Sequence, residues 1–359
     1  TAAPAPAAPA AEEPAAAEEP AAKGGELTLI YRGTEPKLLD AQVDPYDSAA
    51  VVSSWAADML VSKDLDGNFQ PYLATGWSVS EDGTEYTFNL RDDVTFHDGT
   101  PFNAEAVKIN FERIMNPDTQ SGQSAAMMGP LASIEIVDEH TVKIIHEKPF
   151  APFLDSVSEG FLPIWSPTAL EEYGYDDFQR HLVGSGQFIL EESAPGDHYT
   201  FVKNPDYNWA PAHFDHEGPA YLDKVTVRFI SEVATAIAIL RAGEADVLVG
   251  LRGENLPEFA DDPDFNLTKV SSTGSPTTFI FNTEMAPVND IQVRRALEHA
   301  VNQQEIVDIL YRGQAQATPG VLYPGSPCYW KGAEELYPFD LEKAGQMLDE
   351  AGWVMGDDG

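Results

Sequence analysis

Paired carboxylates do acid/base chemistry only when they face each other in different surroundings, and a chain with 59 Asp and Glu has many candidates. Adjacent pairs such as Asp92-Asp93 and Glu171-Glu172 point to different faces and read as solvated charge. Spacing gives no reason to couple any two acids. His213 and His216 form an H-x-x-H inside Trp209 to Pro219, but the Pro and Gly of that stretch do not assure the helical register that brings i and i+3 together. A zinc site also needs three or four ligands, so a loop is the simpler reading. His140 and His146 share strand parity but lie too far apart to share an ion at roughly 3.3 Å per residue. Cys328, the only cysteine, has no partner thiol or histidine at ligand spacing and reads as packing. P-loop, G-x-G-x-x-G, H-E-x-x-H and G-x-S-x-G patterns are all missing. The expectation is a protein that is not an enzyme, with no metal and no cofactor.

Charge narrows the partners. The formal charge is -38, with 21 Lys and Arg and no basic stripe, which repels phosphate backbones and anionic membranes and excludes nucleic acid. No apolar run reaches the roughly 20 residues of a membrane span. Residues 1–22 hold 12 Ala, 5 Pro and 4 Glu in near-repeats. Proline blocks a continuous helix and the glutamates repel, so residues 1–25 read as a disordered, semi-rigid tether that holds a folded domain off a surface. The chain starts at Thr1 without a basic-then-apolar leader, as in a processed or incompletely recorded chain.

The elements that would carry a site begin at Glu26. Glu26 to Tyr31 reads as a strand, and Tyr86, Phe88 and Leu90 alternate with polar residues as a half-buried strand does. Asn103 caps a predicted helix lined by Val107, Phe111, Ile114 and Met115 and stopped at Asn116-Pro117. Val225, Val227 and Phe229 predict a strand, followed by a helix opened by Ser231 and lined by Val233, Ile237 and Leu240; Asp246 to Val249 predict a short buried strand. Val293, Leu297, Ala300 and Val301 predict one helix face, and Leu341, Ala344 and Leu348 another. Interleaved strands and helices imply α/β layers.

One block is more specific. Gly76 to Arg91 (GWSVSEDGTEYTFNLR) and Val94 to Val107 (VTFHDGTPFNAEAV) resemble the signature of extracellular solute-binding proteins of family 5, the dipeptide, oligopeptide and nickel receptors of ABC importers. Further matches follow in the family's order: Gly184-Ser-Gly-Gln-Phe188, Lys203-Asn-Pro-Asp-Tyr-Asn-Trp209, Arg241 to Val247, Phe281-Asn-Thr283 with Val293 to Leu297, and Asp340 to Trp353. The physical content of these blocks is mostly structural. Asp82-Gly83 and Asp98-Gly99 are turn signals, and Trp77 and Phe96 read as core anchors.

The resemblance implies an α/β, two-lobed periplasmic-binding-protein-like (type II) fold with an inserted subdomain. Lobe I would comprise residues 26–52 and 161–269, the insertion 53–160, and 270–359 the first part of a second lobe that stays incomplete. The return crossing of the family lies in the part absent here, as does the aspartate that pairs with the peptide's α-amino group in peptide-binding members. The implied ligand-binding residues are Gly33, Thr34, Glu35, Pro36, Gly250, Leu251 and Arg252 from the first lobe, and Ser272, Thr273, Gly274, Ser275 and Thr277 at the crossing. Glycines there would let a backbone approach a ligand or serve ordinary loops, and Arg252 would hold a ligand carboxylate or pair with a neighbouring acid. The implied function is capture of a small solute, a peptide before nickel, by hinge closure, and delivery to a membrane ABC permease. The place is periplasmic or cell-surface, with an N-terminal lipid anchor as the membrane contact. A carboxylate-dependent hydrolase outside the cytoplasm is the remote rival. The acidity reads either as a high-salt surface or as steering of cationic solutes.

Overall fold

The structure, a computed structural model, describes residues 24–214, 216–251, 253–268, 276–324, 326 and 328–356. The chain forms two compact units, residues 1–250 and 251–359. The strands of the first are β1 (Glu26–Tyr31), β2 (Val61–Lys63), β3 (Phe69–Pro71), β4 (Ala74–Val79), β5 (Glu85–Leu90), β6 (Leu131–Asp138), β7 (Thr141–His146), β8 (Phe188–Ala194), β9 (His198–Lys203), β10 (Lys224–Phe229) and β11 (Val247–Val249). Its main helices are α1 (Asp47–Ala56), α2 (Ala104–Met115), α3 (Gly122–Met128), α4 (Phe153–Ser156), α5 (Pro167–Asp177) and α6 (Val233–Arg241).

A five-stranded sheet has the order β11-β1-β10-β9-β8, and a four-stranded sheet the order β4-β5-β7-β6, beside the small β2-β3 pair. In the first sheet β1 runs parallel to both β10 and β11, while β9 returns antiparallel. The described chain starts at Gly24, whose amide donates to Tyr221 O at 2.7 Å, and Gly25 N donates to Asp223 at 3.0 Å, so both glycines are bonded to the sheet's approach. The tether proper lies outside the described residues.

Two large cores sit under the sheets, beside a small third one of Ile30, Ala236 and Ala245. Under the four-stranded sheet, Phe153 lies edge-on to Tyr86, Phe88, Phe111 and His146 at 4.7 to 6.5 Å between ring centroids. Phe153 is fully buried, so truncating it to alanine costs about 3–5 kcal/mol. Under the five-stranded sheet, Trp165, Phe178, Phe201, Val225 and Val227 pack with Val52 and Ala56 of α1. Asn103 caps α2 as expected, accepting from Ala106 N at 3.0 Å, and Val107, Phe111 and Ile114 are buried. Phe96 is buried, whereas Trp77 is only half-buried against the first core.

Several expectations are corrected. The cap of α6 is Glu232 rather than Ser231: its two carboxylate oxygens accept from Ala234 N and Thr235 N at 3.1 and 2.6 Å, a reach that a serine one residue earlier lacks. The buried residues of α6 are Ala236 and Ile237. The strand β11 is an edge, so its residues are half-buried and Val249 is exposed. His146 ends β7, buried with its ring bonded to Met128 O at 3.0 Å, whereas His140 lies in the turn before that strand.

The second unit contains α7 (Ile291–Ala300), α8 (Gln303–Leu310) and α9 (Leu341–Glu350), and no described residue in it lies in a strand. The stripe that α7 buries is Val293, Ala296 and His299, with Leu297 and Ala300 half-buried and Val301 beyond the helix and exposed. In α9 only Ala344 is buried, and Leu341 is 63% exposed. Phe279 and Ile280 are 91% and 92% exposed. Cys328 is exposed and does not pack.

Candidate functional site

The pairing register brings three strand ends level, since Tyr31 faces Phe229 in β10 and Val249 in β11. The chain leaving these ends converges on one edge of the sheet, the edge outside the carboxyl ends of parallel strands at which open α/β sheets bind ligands. Arg32 fastens that edge. Its amide donates to Val249 O at 2.9 Å, its Nη1 to Gly250 O at 3.0 Å, and its Nε to Ser231 O at 3.4 Å. Residues after β1, β10 and β11 are thereby held by one side chain.

Gly250 sits at φ +88°, and a Cβ there would lie 3.2 Å from Arg32 O. Only glycine takes that backbone without strain. Gly33 has a different reason: a Cβ would fall 2.5 Å from the Tyr31 ring. The missing side chain accommodates that ring. Tyr31 in turn meets Phe229 edge-on at 5.6 Å, and Phe229 meets Tyr199 at 6.0 Å, forming an aromatic floor under the loop after β1.

Glu35 is committed within the chain. Its Oε1 accepts from Tyr199 Oη at 2.6 Å and from Gly196 N at 2.8 Å, which pins the loop to the β8–β9 turn. Burial, reinforced by the Glu35 carboxylate, pushes the Tyr199 hydroxyl well above its ordinary pKa. Burial also raises Tyr31, helped by the charge of Asp47. Thr34 is exposed and Pro36 buried. Of the residues implied by the resemblance, Gly33, Thr34, Glu35, Pro36 and Gly250 come together at this edge. Leu251, half-buried, and Thr277, exposed, belong to the second unit. Arg252, Ser272, Thr273, Gly274 and Ser275 lie outside the described residues.

Arg32 and the aromatic floor were not singled out from the sequence. The available signal was position: Arg32 directly follows a strand predicted to be in the sheet. A second constellation left no signal. The Asp58 carboxylate, 1% exposed, accepts from Tyr72 Oη, from Ser185 Oγ at 2.9 Å and from Trp209 Nε1 at 2.8 Å, with Tyr207 Oη 3.2 Å from Tyr72 Oη. Burial raises the Asp58 pKa, while the three donors oppose the rise. The motifs Gly184 to Phe188 and Lys203 to Trp209 thus supply partners to one buried acid. Their glycines fit this role, because a Cβ at Gly184 or Gly186 would fall 2.2 or 2.5 Å from Ala56 backbone atoms at the end of α1.

The H-x-x-H histidines have separate partners: His213 Nε2 shares a 3.4 Å hydrogen bond with Ser62 Oγ, and the His216 ring lies 4.2 Å from that of Tyr221. Among the described residues, no group of three or more His, Cys, Asp or Glu is placed to hold a metal ion. Asp93 is bound bidentately by Arg91, at 2.7 and 2.6 Å, which makes Asp92-Asp93 a surface pair with one acid neutralised. No helix among the described residues is long and apolar enough to cross a membrane. In the second unit, Ile306, Ile309, Leu310, Phe339 and Leu341 line a shallow groove of about 570 Å³ that holds none of the expected site residues.

Comparison with known proteins agrees with the resemblance. Residues 68–359 match the family model of bacterial extracellular solute-binding proteins, family 5 middle. The glutathione-binding protein GsiB of Salmonella typhi is 34% identical over 319 residues, covering 88% of this chain and 60% of the relative. The nickel-binding periplasmic protein of Escherichia coli is 29% identical over 310 residues, covering 84% and 56%. Among solved structures, the ABC transporter-associated periplasmic binding protein DppA from Helicobacter pylori, in complex with peptide STSA, is similar with a TM-score of 0.78 and 28% identity, covering 93% of this chain and 67% of that one. The chain spans about 60% of the length of these curated relatives.

Proposed function

Because the chain belongs to the bacterial extracellular solute-binding proteins of family 5, we propose that it is the solute receptor of an ABC importer, working outside the cytoplasm and capturing peptides for a membrane permease. The observation that carries this reading is the convergence of Arg32 to Pro36, Ser231 and Gly250 at the carboxyl edge of β1, β10 and β11. Such an edge offers backbone carbonyls, backbone amides and a fixed cation, which suit the main chain of an extended peptide. Binding is non-covalent. A ligand that prefers one conformation of the receptor shifts the population toward it by the difference in its affinities.

The division into lobe I (26–52 and 161–269), insertion (53–160) and the first part of lobe II (270–359) belongs to the same reading. In its support, the five-stranded sheet falls within the first set of residues and the four-stranded sheet within the second. The cleft residues of lobe I are Gly33, Thr34, Glu35, Pro36, Gly250, Leu251 and Arg252, and those of the crossing are Ser272, Thr273, Gly274, Ser275 and Thr277. The Ala/Pro/Glu tether and an N-terminal lipid anchor complete the proposal.

Peptide is preferred to nickel because the histidines of the H-x-x-H are turned to Ser62 and Tyr221. Titration calorimetry with di- to pentapeptides, with tryptophan fluorescence in parallel, should give saturable responses. Silence across such a panel together with a stoichiometric response to Ni²⁺ would replace the peptide reading with the nickel one.

A further inference from the structure

Arg32, like Lys37, Lys148, Arg180 and Arg228, differs from seven other cations of the first unit. Lys63, Arg91, Lys108, Arg113, Lys143, Lys203 and Lys224 each have a carboxylate within 4 Å, among them Asp155 and Glu159 at 2.7 and 2.6 Å from Lys63 and Asp223 at 2.5 Å from Lys203. Among the described residues none lies that close to Arg32. Its guanidinium is held instead by two neutral carbonyls, Ser231 O and Gly250 O. A guanidinium has five N–H donors, so roughly three remain on this half-buried residue, whose two carbonyl bonds are exposed. Glu232 feels the charge of Arg32, but its two oxygens are occupied by the amides of Ala234 and Thr235. The result is a cation fixed in place before any ligand arrives, with its charge not neutralised by contact.

Its position gives this meaning. Arg32 lies between Gly33 in sequence and Gly250 in space, at the carboxyl edge of three parallel strands. A chain of net charge -38 repels anions, so an anionic solute needs a local cation, and one already ordered loses little rotamer freedom on binding. We propose that Arg32 is a specificity-determining residue that binds a carboxylate of the solute, selecting ligands with a free acidic group such as a peptide's C-terminus. This rests on the receptor reading above and adds the chemical class of ligand.

The test is a cycle of two changes, one in the ligand and one in the protein. Tetraalanine and its C-terminal amide are titrated into the 359-residue chain and into R32Q and R32K. The wild type should bind the acid about 10- to 100-fold more tightly than the amide, the range for a hydrogen bond between charged groups. R32Q should bind both alike, and R32K should keep part of the preference. If R32Q weakens acid and amide by the same factor, Arg32 only latches the strand ends and the proposal fails while the receptor reading stands. Equal binding of both ligands by the wild type has the same consequence. If the wild type binds neither, nor a tetrapeptide pool, the peptide reading falls and this inference with it.

Discussion

The loop that begins at Arg32 ends in a buried ion pair, and the cost of breaking that pair can be worked out. Asp40 has no exposed side-chain surface, Arg113 of α2 is 14% exposed, and Asp40 Oδ2 lies 2.6 Å from Arg113 Nη2. The contact is an ion pair off the in-line geometry of a hydrogen bond. The other oxygen of Asp40 accepts from Trp165 Nε1 at 2.8 Å and Gln42 N at 2.9 Å, and Arg113 Nη1 donates to Gln42 Oε1 at 2.5 Å. Arg113→Met keeps the stem packing but leaves a buried carboxylate without its cation, which costs about 3–5 kcal/mol. Asp40→Asn keeps an acceptor for Trp165 and leaves an Arg113 that reaches water, so it should cost about 2 kcal/mol. The double variant should then lose about 3 kcal/mol, well short of the sum, because neither charge is left stranded. Urea unfolding followed by circular dichroism and tryptophan fluorescence measures this through the midpoint at unchanged slope. The pair is buried, so molar NaCl should leave the Arg113→Met deficit in place while raising the melting temperature of wild type and variant alike by screening the surface acids. A single-variant cost below about 1 kcal/mol, or costs that add within about 0.5 kcal/mol, would refute the reasoning.

Three further outcomes follow from the same geometry. Gly250→Ala should destabilise by about 1–2 kcal/mol, since the new Cβ requires φ +88° and presses on Arg32 O; urea midpoints read this directly. Tyr199→Phe removes the hydroxyl that donates to Glu35 at 2.6 Å and should cost about 1–2 kcal/mol, with faster hydrogen exchange at the Gly196 amide. Burial holds His97 down at a pKa of about 4, against the opposing pull of Gly186 O and Asp98. Its unfolded form therefore binds more protons between about pH 6.5 and 4, and the contribution of neutral His97 is lost as pH falls through that window. The loss is at most about 3 kcal/mol, less for a half-buried ring. Asp58, with a raised pKa, has the opposite sign above its ordinary carboxylate range. The measurement is therefore the difference in melting temperature between wild type and H97Q across pH 4 to 7, which should shrink toward the acid end.

The sequence was legible where a pattern is local. Asn103 to Asn116 gave α2 with its cap, because a helix's apolar spacing and cap lie within a dozen residues. The turns at Asp82-Gly83 and Asp98-Gly99 were legible too, with glycines at φ +71° and +80°. Leu341, by contrast, followed helical spacing yet is exposed, since periodicity shows which face is apolar and not whether anything covers it. The cap of α6 was misplaced by one residue because a longer acidic side chain does from 232 what a serine would do from nearer the helix.

The site illustrates a different limit. Two of the motifs that identify the family, Gly184 to Phe188 and Lys203 to Trp209, meet at Asp58, whose donors Tyr72, Ser185 and Trp209 are 14, 127 and 151 residues away. A buried acid left without a donor costs about 1–3 kcal/mol for each unmet bond, so all of its partners must be kept together. An open sheet edge imposes no such shared requirement on sequence. Gly33 and Gly250 answer to local geometry, a ring beneath one and a positive φ at the other, while Thr34 is exposed. The blocks at 184–188 and 203–209 therefore report how the first unit is fastened. The residue proposed above to select the solute, Arg32, matches no motif, and the level ends of β1, β10 and β11 are what place it at the sheet edge.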